Sequence, residues 1–349
     1  MVKERFYKTE VVPRCLTFKR PAGTSRGVYT TRKLWEVRIR KEDEPSVIGI
    51  GECAPLPDLS CDYGVDYEIT LSKACLDLEQ KGYVDTESLP SILFGLEMAM
   101  RHYEQGGWRH YDTPFSRGQA GIPINGLIWM GDYKYMLEQV EEKMKEGFRC
   151  VKLKIGAIDF DRELSLLKHI RTHFSAKEIE LRVDANGAFT PPEAMDKLKR
   201  LAEMDLHSIE QPIRAGQLEE MAHLAAESPL PIALDEELIG CNAPDEKRRL
   251  LETIHPQYII LKPSLHGGIS GCTEWIHLAE AILGSTPEQP KWWVTSALES
   301  QIGLNAIAQW CATLGNPLPQ GLGTGEIFKD DKHRLIQRKG DTIWFTNDL

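Results

Sequence analysis

Five charged residues, Lys154, Asp184, Glu210, Asp235 and Lys262, each close a short apolar run, and they stand 30, 26, 25 and 27 residues apart. Each interval is the length of one strand, one helix and their loops. A chain with that repeat lays its strands parallel, which leaves a closed ring or a doubly wound open sheet. The strand candidates are PINGLI, CVKLKI, IELRVDA, LHSIEQ, PIALDE, YIILKP, WWVTSA and PQGLGT, and eight such strands make a closed barrel. Between them DRELSLLKHIRTHF, PEAMDKLKRLAEM and LEEMAHLAAES carry apolar residues at helical spacing. No GxGxxG follows an early strand, and polar residues collect at the C-terminal ends of strand after strand. That favours the barrel mouth over the open sheet. The expected fold class is therefore α/β, a TIM-like (β/α)8 barrel over residues 116–324.

Residues 1–115 read differently. Strand-like stretches (EVVPRCLTF, KLWEVRIR, SVIGIGEC) precede helical ones (YEITLSKACLDLEQ, PSILFGLEMAMRHYEQ), the order of an N-terminal α+β capping domain. PAGTSRG, with Ser25 and Arg26, reads as a mobile loop, and APLPDLSCDYG as a second loop. The last stretch, 325–349, is too short for a domain and is expected to pack back onto the cap.

A net charge of −10 argues against nucleic acid or an anionic membrane surface as partner, since both require a concentrated positive patch. No leader-like apolar segment opens the chain and no membrane-length apolar run occurs, so the cytoplasm is the expected compartment. Eight cysteines without a CxxC pair fit reduced, mostly buried thiols. His169 and His173 stand four apart but without an HExxH glutamate, which makes surface histidines the simpler account.

Asp184, Glu210 and Asp235 would converge at the barrel mouth. At about 4 Å and an effective dielectric of about 20, each pair of carboxylates repels by about 4 kcal/mol, and a cation must offset that. An all-oxygen donor set favours a hard ion such as magnesium. Helix capping accounts for one such acid but not for three. Glu236 is expected on the opposite side of its strand from Asp235 if the pleat is regular. Lys152 and Lys154 share a strand face. Their mutual repulsion, about 2 kcal/mol at roughly 7 Å, would lower one of them towards a useful base, with Lys154 nearer the mouth. Lys262 lies four strands further on, across the ring, where it can supply positive charge while the metal stabilises an enediolate. Arg182 shares a face with Asp184, and Asn186 follows it, which makes both candidates for supporting or substrate contacts.

KxK, DAN, EQP, DEE and LKP, in this order and spacing, resemble the enolase superfamily in its muconate-cycloisomerase-like branch, over nearly the whole chain. GIGECAPLP is similar to that branch's capping strand and loop, and TSALESQIGLNAIA to its seventh barrel strand and following helix. The resemblance implies Mg2+, or Mn2+ in its place, on Asp184, Glu210 and Asp235. It implies Lys154 as base and acid, with Lys262 opposite. Lys152, Arg182, Asn186, Ser296, Ser25 and Arg26 are then supporting or substrate-binding groups. It also implies a small-molecule carboxylate substrate, and it sets no subunit number. GIGECAPLPDLS and LKPSLHGG are most similar to a carbon–oxygen lyase of the branch that dehydrates a succinyl-hydroxycyclohexadiene-carboxylate. Racemases and cycloisomerases of the branch use the same lysines and metal, so they stay open as readings. Dipeptide epimerases of the branch carry Asp-x-Asp at the eighth strand, whereas Gly323-Thr324-Gly325 stands here. A barrel that has lost catalysis and only binds is the reading from another class, and the intact lysines and acids speak against it.

Overall fold

The computed structural model describes residues 6–24, 27–84, 88–129 and 131–346. Ser25 and Arg26 lie outside the described residues. The cap opens with a long antiparallel hairpin, β1 (Lys8–Thr24) and β2 (Gly27–Arg40), followed by β3 (Gly49–Cys53) on the far side of β2. Pairing runs up the hairpin to Ala22 with Tyr29 and Thr24 with Gly27. Much of the PAGTSRG stretch expected as loop is thus paired strand, because the backbone continues the ladder past a register shift between Thr17 and Ala22.

Two helices, α1 (Tyr67–Lys81) and α2 (Pro90–Gln105), cover one face of this sheet. Trp35, Val37 and Ile39 of β2 meet Leu71 and Leu78 of α1 and Ile92 and Leu96 of α2 in a closed apolar core. Gly51 and Gly95 allow α2 to sit directly on β3. A Cβ added at Gly51 would fall 1.9 Å from the Gly95 carbonyl oxygen.

The chain then enters the barrel. After β4 (Ile122–Pro123), seven parallel strands follow in sequence order around the sheet: β5 (Gly126–Ile128), β6 (Cys150–Lys154), β7 (Glu180–Asp184), β8 (Ser208–Glu210), β9 (Ile232–Leu234), β10 (Tyr258–Leu261) and β11 (Trp292–Val294). The helices between them are α3 (Tyr133–Lys145), α4 (Phe160–His173), α5 (Pro191–Ala202), α6 (Leu218–Glu227), α7 (Pro244–Ile254) and α8 (Gly268–Leu278), and α9 (Gln301–Leu314) follows β11. Local chemistry sets their starts. Asp159 accepts from the Asp161 and Arg162 amides at the head of α4, and Pro191 begins α5.

The eighth stave is contact rather than strand. Gln320 bridges Ile124 and Gly321 bridges Thr295, both in parallel sense, and the Gln320 and Gly321 amides donate to Pro123 O and Val294 O. The ring closes through these bonds.

Strand alternation divides the core. Val151, Leu153 and Ile155 face the helices in the large outer cluster, while Ala233, Ile260 and Trp293 fill the barrel interior. The C-terminal segment splits. Lys19 and Lys329 amides pair Thr17–Lys19 with Ile327–Lys329, extending the cap, whereas the hairpin β12 (Ile336–Lys339) and β13 (Thr342–Phe345) pairs with β4 at the barrel. All eight cysteines are free. No helix among the described residues is long and apolar enough to cross a membrane.

Candidate active site

The C-terminal ends of the barrel strands open onto a cavity of about 230 Å³. Its floor carries Lys152, Lys154, Asp184, Glu210, Asp235 and Lys262, and Asn186 and Ser296 line it as well. Register explains the convergence. Lys154 pairs with Asp184, and Asp184 with Glu210, so one inward position recurs at the same height on neighbouring strands. Asp184, Glu210 and Asp235 are all at most 2% exposed.

Ammonium groups lie between the acids. Lys152 Nζ donates to Glu210 Oε2 at 2.7 Å and to Asp184 Oδ2 at 3.3 Å. Lys154 Nζ donates to Asp184 Oδ2 at 2.9 Å and to Asn186 Oδ1 at 2.7 Å. Lys262 Nζ donates to Asp235 Oδ2. The expected lowering of a lysine by its neighbour does not occur at Lys152. Burial pulls its ammonium down, but the Glu210 and Asp184 charges outweigh that and hold it above its ordinary range. Burial likewise opposes Lys262, and Asp235 raises it.

The acids divide. Against the cost of burial, Lys154 and Lys152 hold Asp184 below its ordinary range. Glu210 is pushed up by burial and by the Asp184 charge. Burial also raises Asp235, against the pull of Lys262.

Two expectations need correction. Glu236 does not point away from Asp235. It lines the cavity, and its Oε1 accepts from Asn186 Nδ2 at 3.0 Å. The pleat ends at β9, Asp235 has φ −124° and ψ −80°, and a turn of 3₁₀ helix begins at Glu236, so strand alternation no longer applies. The residue that turns away is Glu237, which accepts from Gln211 Nε2 and the Gly216 amide. Arg182 is not among the residues lining the cavity. It sits deeper in the barrel, its guanidinium 4.2 Å from the Trp293 ring centre, donating to Glu180 Oε1 and Pro319 O. It shares the parity of Asp184 but lies two residues further from the mouth.

Several groups had no expectation attached. Gln211, at φ 40°, accepts from the Asp235 and Glu237 amides and so ties the end of β8 to the end of β9. Thr324 shares a 2.6 Å hydrogen bond with Ser296. Tyr29, Leu56 and Leu59 of the cap roof the cavity. The acidic doublet after Asp235 is the one signal that pointed at Glu236.

The donor set suits a hard divalent cation. Glu210 Oε1, Asp235 Oδ1 and Glu236 Oε2 are buried without a hydrogen-bond partner, and every candidate donor is a carboxylate oxygen. As the side chains stand, no three acids of the described residues close around one point, because the ammonium groups stand between them.

The family described as Enolase C-terminal domain-like matches residues 135–337. The chain belongs to the enolase superfamily. It is 45% identical to the o-succinylbenzoate synthase of Desulfotalea psychrophila over 90% of this chain and 93% of that one. The crystal structure of MenC from the same organism superposes with a TM-score of 0.79 at 38% identity, covering 97% of this chain and 99% of that chain. The L-Ala-D/L-Glu epimerase of Bacillus subtilis is 27% identical over 83% of this chain and 80% of its own length. Enolase-superfamily enzymes generally use Mg2+.

Proposed function

We propose that the chain is an o-succinylbenzoate synthase, a dehydratase that converts 2-succinyl-6-hydroxy-2,4-cyclohexadiene-1-carboxylate to o-succinylbenzoate in menaquinone biosynthesis. The observation that carries this reading is its 45% identity to a synthase of that name along nine-tenths of its length. The cavity agrees with it chemically, since lysines from β6 and the end of β10 open onto one acid-lined floor.

Asp184, Glu210 and Asp235 would hold Mg2+, or Mn2+ in its place, whose charge acidifies the carbon next to a bound carboxylate. Lys154 takes the α proton on Nζ and hands it to the departing hydroxyl, so that water leaves and the ring becomes aromatic. Asn186 Oδ1, bonded to Lys154 Nζ, orients that amine. Lys262 lies against the ring from the far strand and offsets the negative charge that develops. Lys152 remains an ammonium between Asp184 and Glu210, neutralising part of their charge. Ser296 with Thr324 offers hydroxyls to the substrate's polar end. Gly323-Thr324-Gly325 provides no carboxylate for a substrate ammonium, which suits a dicarboxylate. Residues 1–115 with 325–329 act as the cap and 116–324 as the catalytic barrel, with the final hairpin on the barrel side. The cytoplasm is the proposed compartment.

Incubating the protein with the cyclohexadiene substrate and MgCl2, and following product absorbance, tests the reading. Metal-dependent aromatisation that disappears in Lys154→Ala is expected. Conversion that is absent, or that survives in that variant, overturns it. Exchange of the α-hydrogen of an N-succinylamino acid without aromatisation would instead favour the racemase alternative, which needs the same two lysines.

A further inference from the structure

Arg32, on β2 of the cap, is 2% exposed and directs its donors to backbone carbonyls rather than to a carboxylate. Its Nε donates to Leu298 O at 3.1 Å, one terminal nitrogen to Ala297 O at 3.3 Å and to Ala54 O, and the other to Pro55 O. One guanidinium thus joins a cap loop to the barrel loop that follows β11.

The barrel loop requires such a partner. Leu298 has φ 62°, a left-handed conformation that a branched side chain adopts only when its surroundings hold it there. Arg32 bonds the carbonyls on both sides of that residue's N–Cα–C unit. Glu52 of β3 grips the same segment from its amides, accepting from Ser300 N at 2.9 Å, from Ser300 Oγ and from Gly303 N at 3.3 Å. The segment 297–303 is therefore held by the Arg32 guanidinium on its carbonyls and by the Glu52 carboxyl on its amides.

Both loops that Arg32 joins carry roof residues. Leu56 follows Pro55, and Leu298 with Ala297 stands opposite, all in one apolar cluster that also includes Ala54 and Leu265. The roof faces the acid-lined floor across the cavity. We propose that Arg32 is a positioning residue that fixes this apolar roof, and with it the fit of the substrate's non-reacting part, by holding the 54–55 and 297–298 carbonyls together. The substrate named in its test rests on the synthase reading, while the geometry does not.

Steady-state kinetics with the cyclohexadiene substrate compare wild type, Arg32→Lys and Arg32→Met. The MgCl2 midpoint of thermal stabilisation and amide exchange at residues 54–59 and 297–300 are followed alongside. KM is expected to rise by about tenfold in Arg32→Met and less in Arg32→Lys, with kcat within about threefold of wild type. The magnesium midpoint stays put, and exchange quickens in those two segments only. An unchanged KM in a folded variant, or a kcat that falls as far as KM rises, overturns the proposal. If Arg32→Met does not fold, Arg32→Lys decides by the same criteria. An inactive wild type would defeat the synthase reading alone. Unchanged exchange in the variants would then overturn the roof proposal on its own.

Discussion

Lys152 and Lys154 are two residues apart on one strand, yet the structure gives them different surroundings. Lys152 is wedged between Asp184 and Glu210, while Lys154 reaches Asp184 and Asn186 nearer the mouth. Replacing a proton-transfer lysine and replacing a charge-neutralising one should therefore fail differently. With MgCl2 present, Lys154→Ala and Lys262→Ala are expected to lower kcat by roughly a thousandfold or more while remaining folded. Lys152→Met leaves the buried Glu210 without its ammonium, while Asp184 keeps that of Lys154. In metal-free buffer it should destabilise the fold by about 3 kcal/mol, and MgCl2 should recover much of that loss. Thermal unfolding with and without MgCl2, beside the turnover assay, separates the two roles.

At the scale of elements, close backbone approach replaces side-chain packing in two places. A Cβ on Gly95 would stand 2.3 Å from Cys53 Sγ, and one on Gly321 would stand 2.4 Å from Thr295 Oγ1. Gly95→Ala should separate α2 from β3 and cost about 2 kcal/mol, read as a lower urea midpoint. The barrel rhythm was legible in the sequence because each strand had to end in the same kind of residue at the same height. Lys154, Asp184, Glu210, Asp235 and Lys262 all line the cavity for that reason. Glu236 was misplaced because alternation holds only while the pleat lasts, and the pleat stops at Leu234. Arg182 was misplaced because parity names a face but not a depth along it. The eighth stave was legible as PQGLGT, although single bridges at Gln320 and Gly321 rather than a paired strand hold it in the ring. Arg32 and Glu52 carried no expectation of their own, since the barrel groups that they hold lie some 250 residues away in the chain.

The whole molecule works as a barrel whose roof is supplied by the cap, and the joint between them titrates. Burial, helped by the neighbouring Glu299 charge, pushes the Glu52 carboxyl from its ordinary 4.5 up to about 7, against the hydrogen bonds from Ser300. A raised acid favours the folded state while protonated. Its contribution, about 3 kcal/mol, is therefore complete below about pH 4.5 and is lost as pH rises through about 7. Glu52→Gln keeps an acceptor for Ser300 and removes the titration, so its melting temperature should fall less than wild type's between about pH 5 and 8. The central claim concerns the floor of the cavity, where carboxylates from three successive strands are taken to hold one divalent ion beside two lysines. Calorimetric titration of the metal-free protein with MgCl2 tests it most directly. One ion per chain is predicted, with binding lost in Asp184→Asn and in Glu210→Gln although both variants remain folded. Absence of binding to the wild type, or undiminished binding to those variants, would contradict the account.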